Sequence, residues 1–177
     1  LNKLSLAFKD KTILFTTSTF NSYIAFAKLT VNKNIIHQFA PVDSQFALRR
    51  FLYFWNPRMV LISELDLWPL RSMEVKRLKI PLVLFNSRMN EKKKNDRRII
   101  YNIFKRTLSE FDYIFLQDED SKKYFKYFGV SENKLSICGP FKSAGTDIYV
   151  DQSIKKRMKN IFSNKIVWIT ASLHSDE

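Results

Sequence analysis

The chain has 177 residues, 45% of them hydrophobic, and a formal net charge of +13, so it can bury the core of one domain and favours an anionic partner such as nucleic acid, anionic lipid or a phosphorylated substrate. Its single cysteine, Cys138, excludes an internal disulfide and, with only two histidines far apart, a zinc site, which fits a reducing cytoplasmic setting. It contains no apolar run of the roughly 18 residues that a membrane helix needs, no signal peptide, and neither a Walker loop nor a G-x-G-x-x-G motif.

Short apolar strands alternate with helices along the chain. Strands are predicted over residues 12–16, 35–39, 59–63, 81–85, 113–116, 135–138 and 166–170. Helices are predicted at 1–8, over 20–29, 45–55 and 70–78, in a basic segment ending near 108, and over 118–128 and 151–162. This alternation predicts an α/β fold with a parallel sheet and helices on both faces, because the strands are apolar throughout.

Polar residues and glycines predict where several helices begin and end. Ser18 or Thr19 is expected to cap the second helix, and Asp43 the third, because their side chains accept hydrogen bonds from free backbone N–H groups. Gly129 is expected at the end of the helix over 118–128, since glycine adopts the left-handed backbone found there.

The stretch 59–69, MVLISELDLWP, carries two acids directly after a buried strand. Side chains two residues apart in an extended segment point the same way, so Glu64 and Asp66 could both face one cleft. Ligands of open α/β sheets bind outside the carboxyl ends of the strands, which makes both acids candidates for chemistry. Alternatively, the acids cap the helix that opens near Pro69, where carboxylates and proline are favoured.

Five stretches of the chain resemble, in order and spacing, the 3-deoxy-D-manno-octulosonic acid (Kdo) transferases of lipopolysaccharide synthesis. They are TTST at 16–19, SELDLWP at 63–69, NSRMNE at 86–91, GPFK at 139–142 and ASLHSDE at 171–177. The resemblance implies a GT-B glycosyltransferase with two Rossmann-like domains. Residues 1–147 are then the N-terminal acceptor-side domain, and residues 148–177 cross into the C-terminal donor domain.

The same resemblance implies the reaction and its substrates. The family moves Kdo from CMP-Kdo, the donor substrate, to the lipid A precursor lipid IVA, in an inverting reaction without a metal or other cofactor. Its base is a glutamate in a loop that is expected ahead of Leu1, together with the first strand. The CMP-binding residues are expected mostly in the C-terminal domain, so this fragment alone is expected to be inactive.

By resemblance, Glu64 and Lys142 match an acid and a lysine that stabilise the transition state. A cation aimed at the departing cytidine monophosphate lowers the barrier, although Lys142 could instead be an ordinary loop lysine. Arg88 could clamp a phosphate or carboxylate through two hydrogen bonds, or be a surface arginine. Asp66 stands where the family usually has Glu. The residues expected to bind substrate are Asp66, Arg88, Ser172, His174 and Glu177.

A dense basic segment precedes the fifth strand. Its expected contacts with the membrane or with lipid phosphates are Lys92, Lys93, Lys94, Arg97 and Arg98. Isoleucines and a phenylalanine intervene at helical spacing, a pattern typical of membrane-surface helices, although the apolar side could pack an ordinary core. Arg49 and Arg50 form a second basic set beside aromatic residues. We expect the full-length protein on the cytoplasmic face of the inner membrane of a Gram-negative bacterium, held peripherally or by an N-terminal anchor.

Two other functions fit the sequence less well. One is a GT-B glycosyltransferase with a different donor, which a C-terminal domain without the CMP-binding pattern would favour. The other is a non-enzymatic basic α/β module that binds anionic membrane or nucleic acid. We expect no nucleic-acid partner, because no recognised DNA- or RNA-binding motif occurs and acids interrupt the basic side chains.

Overall fold

A computed structural model describes residues 1–29, 32–89, 98–141, 151–163 and 165–168, with the backbone alone at 98–100. The helices are α1 (Asn2–Ala7), α2 (Phe20–Ala27), α3 (Gln45–Trp55), α4 (Pro69–Arg77), α5 (Arg98–Ser109), α6 (Glu119–Tyr127) and α7 (Gln152–Ile161). The strands are β1 (Ile13–Thr17), β2 (Ile35–Phe39), β3 (Val60–Ser63), β4 (Leu82–Ser87), β5 (Tyr113–Leu116) and β6 (Leu135–Ile137), with a 3₁₀ turn over Glu132–Lys134. The predicted alternation of strands and helices is confirmed through α7.

The predicted strand over 166–170 is wrong in its described part. Residues 165–168 are in no strand, and the side chains of Ile166 and Trp168 are each 89% exposed. A strand needs a neighbour to satisfy its backbone groups, and none of the described strands pairs with this segment. Apolar composition alone therefore did not decide the local structure here.

All described strand pairs are parallel, which confirms the predicted α/β class. β1 pairs with β2, and β3, β4, β5 and β6 form a four-stranded sheet in that order. Parallel strands direct their carboxyl ends to the same edge of a sheet. The residues that follow β3, β4 and β5 therefore meet at one edge.

The core lies against one face of the four-stranded sheet. Ile62, Leu84, Ile114 and Leu135 pair in register across all four strands, and every one of them is buried. Helices α3 to α6 cover this row with a further set of buried side chains, among them Leu52, Val75, Leu108 and Phe125. On the opposite face, Leu61 is 39% exposed and Tyr113 is 57% exposed.

Three helix N-termini show which polar residues cap them. Thr19 accepts a hydrogen bond from the Ser22 N–H at 3.2 Å, in agreement with one of the two predicted caps. Ser44, and not Asp43, caps α3. The Asp43 carboxylate instead accepts from the Arg71 N–H at 3.0 Å in the first turn of α4, because it stands one residue too early to reach the N–H groups of α3.

The chain divides into two compact units, Leu1–Pro140 and Phe141–Glu177. The first contains β1 to β6 and α1 to α6. The described part of the second is the segment around α7, whose cap Asp151 accepts from the N–H groups of Ser153 and Ile154. No helix in the described part of the chain has the length and apolar character needed to cross a bilayer. The domain boundary at residue 147 stays a prediction.

Candidate functional site at the carboxyl ends of the strands

Glu64 follows β3 in a left-handed backbone conformation. Its φ is 62°, which is rare for a residue other than glycine and is often retained at functional sites. Its N–H donates to the Phe85 carbonyl at 2.8 Å, and its carbonyl accepts a longer bond from the Ser87 hydroxyl at 3.4 Å. The prediction that Glu64 and Asp66 point the same way is therefore wrong, because the backbone turns at Glu64 and is not extended.

Asp66 is held by the residues that begin α4. Its carboxylate accepts from the Trp68 indole N–H at 2.7 Å and from the Arg71 guanidinium at 3.2 Å. The same guanidinium lies 5.9 Å from the centre of the Trp68 ring. Neither Asp66 nor Glu64 caps α4, whose N-cap position is Trp68 and whose first helical residue is Pro69. Asp66 therefore orders the entry to α4 through side chains.

The Glu64 carboxylate is exposed and receives no hydrogen bond or ion pair from any described side chain. Its backbone is nevertheless fixed through Phe85 and Ser87 of β4. A carboxylate on a fixed backbone without a protein partner can accept a hydrogen bond from a hydroxyl group of a ligand. This combination distinguishes Glu64 from Asp66.

The end of β4 contains a second left-handed residue, Asn86, with a φ of 53°. The pairing of β4 with β5 shifts between Leu84 and Ser87, as expected where an irregular residue interrupts a ladder. The Gln117 side chain donates to the Asn86 carbonyl at 2.8 Å, and the Gln117 N–H donates to the Ser87 carbonyl at 3.0 Å. These bonds fix the backbone from which Arg88 projects.

Arg88 forms an ion pair with Asp118, the residue that caps α6 after β5. The Arg88 Nε lies 3.2 Å from the Asp118 Oδ2, while the other carboxylate oxygen accepts from the Ser121 N–H at 2.7 Å. Burial acts to raise the pKa of Asp118, but hydrogen bonds from Ser121 and the nearby charge of Arg88 lower it overall. Asp118 therefore stays ionised and restrains Arg88. The other guanidinium nitrogens of Arg88 can donate hydrogen bonds to an anion.

The sequence identified Asp118 only as the start of a helix. Asp118 comes just after β5, and β5 pairs with β4, the strand that precedes Arg88. This position after a strand is the signal in the sequence from which Asp118 could have been identified. Of the residues predicted to act on the substrates, the structure describes Glu64, Asp66 and Arg88. Those outside the described residues are Lys142, Ser172, His174 and Glu177, together with Lys92, Lys93, Lys94 and Arg97; of Arg98 only the backbone is described.

The first 144 residues match the family model described as 3-Deoxy-D-manno-octulosonic-acid transferase (kdotransferase). The matched region contains Glu64, Asp66, Arg88 and Lys142 as well as all six described strands.

Individual proteins of the same description are similar over nearly the whole chain. A probable mitochondrial 3-deoxy-D-manno-octulosonic acid transferase of Arabidopsis thaliana is 30% identical over 173 residues, which is 95% of this chain and 38% of the relative. A 3-deoxy-D-manno-octulosonic acid transferase of Rickettsia felis is 27% identical over 177 residues, which is 100% of this chain and 37% of the relative. The chain thus spans somewhat more than a third of the length of these curated relatives.

One solved structure, an S. aureus MnaA-UDP co-structure, aligns with a TM-score of 0.46 and 10% identity, covering 78% of this chain and 40% of that chain.

Proposed function

Because the chain belongs to the 3-deoxy-D-manno-octulosonic acid (Kdo) transferase family, we propose that the full-length protein is a glycosyltransferase that moves Kdo from CMP-Kdo to a lipid A precursor. The family match over residues 1–144 carries this proposal, since it includes the acid and the arginine at the ends of β3 and β4. The proposed reaction inverts the anomeric configuration without a metal. The chain supplies the acceptor side of a GT-B fold, and a second Rossmann-like domain supplies the donor side.

Glu64 is proposed to position the acceptor or the catalytic base. Transfer requires that an acceptor hydroxyl lose its proton as it attacks the anomeric carbon, so carboxylates are needed near that hydroxyl. Glu64 suits this role because its carboxylate has no described partner while its backbone is fixed by β4. Asp66, already bonded to Trp68 and Arg71, is assigned to maintaining the shape of the site.

Cations are proposed to hold the anionic groups of the substrates. Arg88 is suited to a phosphate of the acceptor or the carboxylate of Kdo, because Asp118 restrains one edge of its guanidinium and leaves the other edge open. Lys142 is assigned by resemblance to the negative charge of the departing cytidine monophosphate. Ser172, His174 and Glu177 are assigned to substrate binding on the same ground.

The proposed acceptor is a lipid, so the protein is proposed to work at the cytoplasmic face of the bacterial inner membrane. The net charge of +13 supports this location, since anionic headgroups attract basic proteins. The basic segment with Lys92, Lys93, Lys94, Arg97 and Arg98 is one proposed contact.

The experiment is a transfer assay with the full-length protein, CMP-Kdo and lipid IVA, read by mass spectrometry of the product and by NMR of the new anomeric centre. We expect Kdo transfer with inversion. Glu64→Gln and Lys142→Ala should each lower kcat at least about 100-fold, as loss of a group that acts in the transition state does. Asp118→Asn should raise KM more than it lowers kcat, because it acts through Arg88.

Matched controls remove the same charges elsewhere. Asp120→Asn and Lys126→Ala change exposed residues of α6 that pair with Lys123 and Glu132, and both should transfer normally. If Glu64→Gln and Lys142→Ala match the parent, the site assignment is wrong although the activity stands. If the folded parent transfers a different sugar, or none, the proposed donor or the proposed activity is wrong.

A further inference from the structure

Helix α3 presents an aromatic and basic face to the solvent. Phe46, Tyr53 and Phe54 are 78%, 64% and 76% exposed, and Arg50 is exposed between them. At 3.6 residues per turn these four positions fall within an arc of about 100°. We call these four residues the α3 aromatic face.

This face is separate from the side of α3 that builds the core. Leu48 and Leu52 are buried on the opposite side of the helix and account for its attachment to the fold. A cluster of aromatic side chains with this much exposure is unusual on the surface of a soluble protein. Such clusters mark sites that bind a membrane, another protein or a ligand.

The surroundings of the α3 aromatic face carry a positive charge. Arg49 of α3 and Arg77 of α4 share one carboxylate, that of Glu74, so this group of three retains one net positive charge. Arg50 forms no ion pair with any described residue. Gln45, Phe46, Arg49 and Arg50 line an open depression of about 430 Å³. Positive groups therefore adjoin the exposed aromatic rings.

Helix α5, which continues the basic segment, is arranged differently. Leu108 is fully buried, and Tyr101 and Phe104 pack against Phe128 with ring centres 5.1 and 5.5 Å apart. Leu108, Tyr101 and Phe104 of α5 are thus used by the core, and Ile103 is the exposed apolar residue on the described part of this helix, at 48%. Helix α3, in contrast, keeps three aromatic residues outside the core.

We propose that the α3 aromatic face docks on the surface of a bilayer that contains anionic lipid. The helix lies along the membrane surface. The rings of Phe46, Tyr53 and Phe54 insert at the boundary between headgroups and acyl chains, and the Arg50 guanidinium binds lipid phosphates. Aromatic residues beside arginine are the composition that this boundary favours, and the surplus positive charge is complementary to anionic headgroups. The inference names the docking surface of the membrane contact in the proposed function, on which it rests.

The test is flotation of the full-length protein with phosphatidylcholine vesicles, with and without phosphatidylglycerol. Phe46→Ser with Phe54→Ser should weaken binding to the anionic vesicles at least about tenfold, because two rings no longer leave water. Arg50→Gln should weaken it about fivefold at low salt and have little effect at high salt. Tyr113→Ser is the matched control, since it removes a 57% exposed aromatic residue from the start of β5, and it should bind as the parent does.

A second measurement detects insertion without removing any apolar surface. Tyr53→Trp should add fluorescence that shifts to the blue on anionic vesicles and is quenched by brominated acyl chains. Unchanged flotation of the double serine variant, or a tryptophan that stays accessible to water, overturns the proposal. A double variant that turns a dimer into a monomer and floats normally also overturns it, in favour of a second copy as the occupant.

Transfer to a detergent-dispersed acceptor separates this inference from the proposed function. If the parent transfers Kdo and the double serine variant does so equally in detergent but not on vesicles, both hold. If vesicle binding depends on the α3 aromatic face and no transfer occurs, the docking surface stands and the proposed activity fails.

Discussion

Glu74 on α4 is a buried acid whose carboxylate joins two helices. It accepts hydrogen bonds from Gln45 and Arg49 of α3 at 3.0 Å each, and from Arg77 of its own helix at 2.7 Å. The bond from Arg49, with smaller contributions from Arg77 and Gln45, lowers the pKa of Glu74 from 4.5 to about 2 against the opposing effect of burial. The charged carboxylate is therefore part of the packing between α3 and α4.

Glu74→Gln should lower the free energy of unfolding by about 2 kcal/mol at neutral pH, because two guanidinium groups lose their shared carboxylate. A lowered pKa contributes stability that is complete above the unfolded-state value near 4.5 and is lost as pH falls through about 2. Chemical denaturation from pH 6 to 2 should accordingly show a smaller acid loss for the variant than for the parent. Equal pH slopes would contradict the role of Glu74. Glu110→Gln, which changes a half-buried acid that forms no ion pair with any described residue, is the control.

Glu64 combines a strained backbone with a proposed role in transfer, so its replacement should separate stability from activity. Glu64→Gly should be more stable than Glu64→Ala by about 1 kcal/mol, because glycine adopts a φ of 62° without the steric cost that alanine retains. Both variants should lose Kdo transfer. Thermal unfolding and the transfer assay measure the two effects separately, and an alanine variant as stable as the glycine variant would argue against strain at this position.

At the scale of elements, α6 ends in a Schellman motif. The Val130 N–H donates to the Phe125 carbonyl at 3.1 Å and the Gly129 N–H to the Lys126 carbonyl at 2.9 Å, while Val130 and Phe125 both belong to the core. Gly129 holds the left-handed position with a φ of 82°. The prediction that Gly129 ends this helix is thereby confirmed.

Gly129→Ala should cost roughly 1–2 kcal/mol of stability, because the left-handed backbone is unfavourable for alanine. The new Cβ would also lie 3.2 Å from the Lys105 Cε, which can move aside at little cost. Gly129→Asn should cost less, since asparagine tolerates this backbone better. Urea denaturation compares the two variants, and equal losses would mean that the backbone conformation does not control the substitution.

The sequence predicted elements well where local chemistry decides them. The bounds of α3 and β2 agree with the structure because breakers flank both. Prediction was poorer where an interaction with a distant residue decides: β4 extends past Phe85 to Ser87 because Ser87 pairs with Leu116. The prediction that Glu64 and Asp66 point the same way is wrong because Glu64 adopts a left-handed backbone and donates a hydrogen bond to Phe85. The spacing of the two acids does not reveal this turn. The ion pair of Arg88 with Asp118 needs the strand order, which sequence spacing also leaves open.

At the scale of the whole molecule, the four-stranded sheet carries its described core on one face. Leu84→Ala removes a fully buried side chain from the middle of the buried row and should cost roughly 3 kcal/mol, as large-to-small changes in a core do. Leu61→Ala, on the opposite face at 39% exposure, should cost less than about 1 kcal/mol. Denaturation of both variants tests this, and equal losses would show that both faces are covered in the full-length protein.

The order of the strands has a consequence for how the protein folds while the ribosome synthesises it. From β3 to β6, each strand lies beside the strand that was synthesised just before it. A nascent chain leaves the ribosome amino end first, so every new strand finds its pairing edge already present. The sheet can therefore lengthen during translation without waiting for distant sequence, and each addition shields the edge that the previous strand left open.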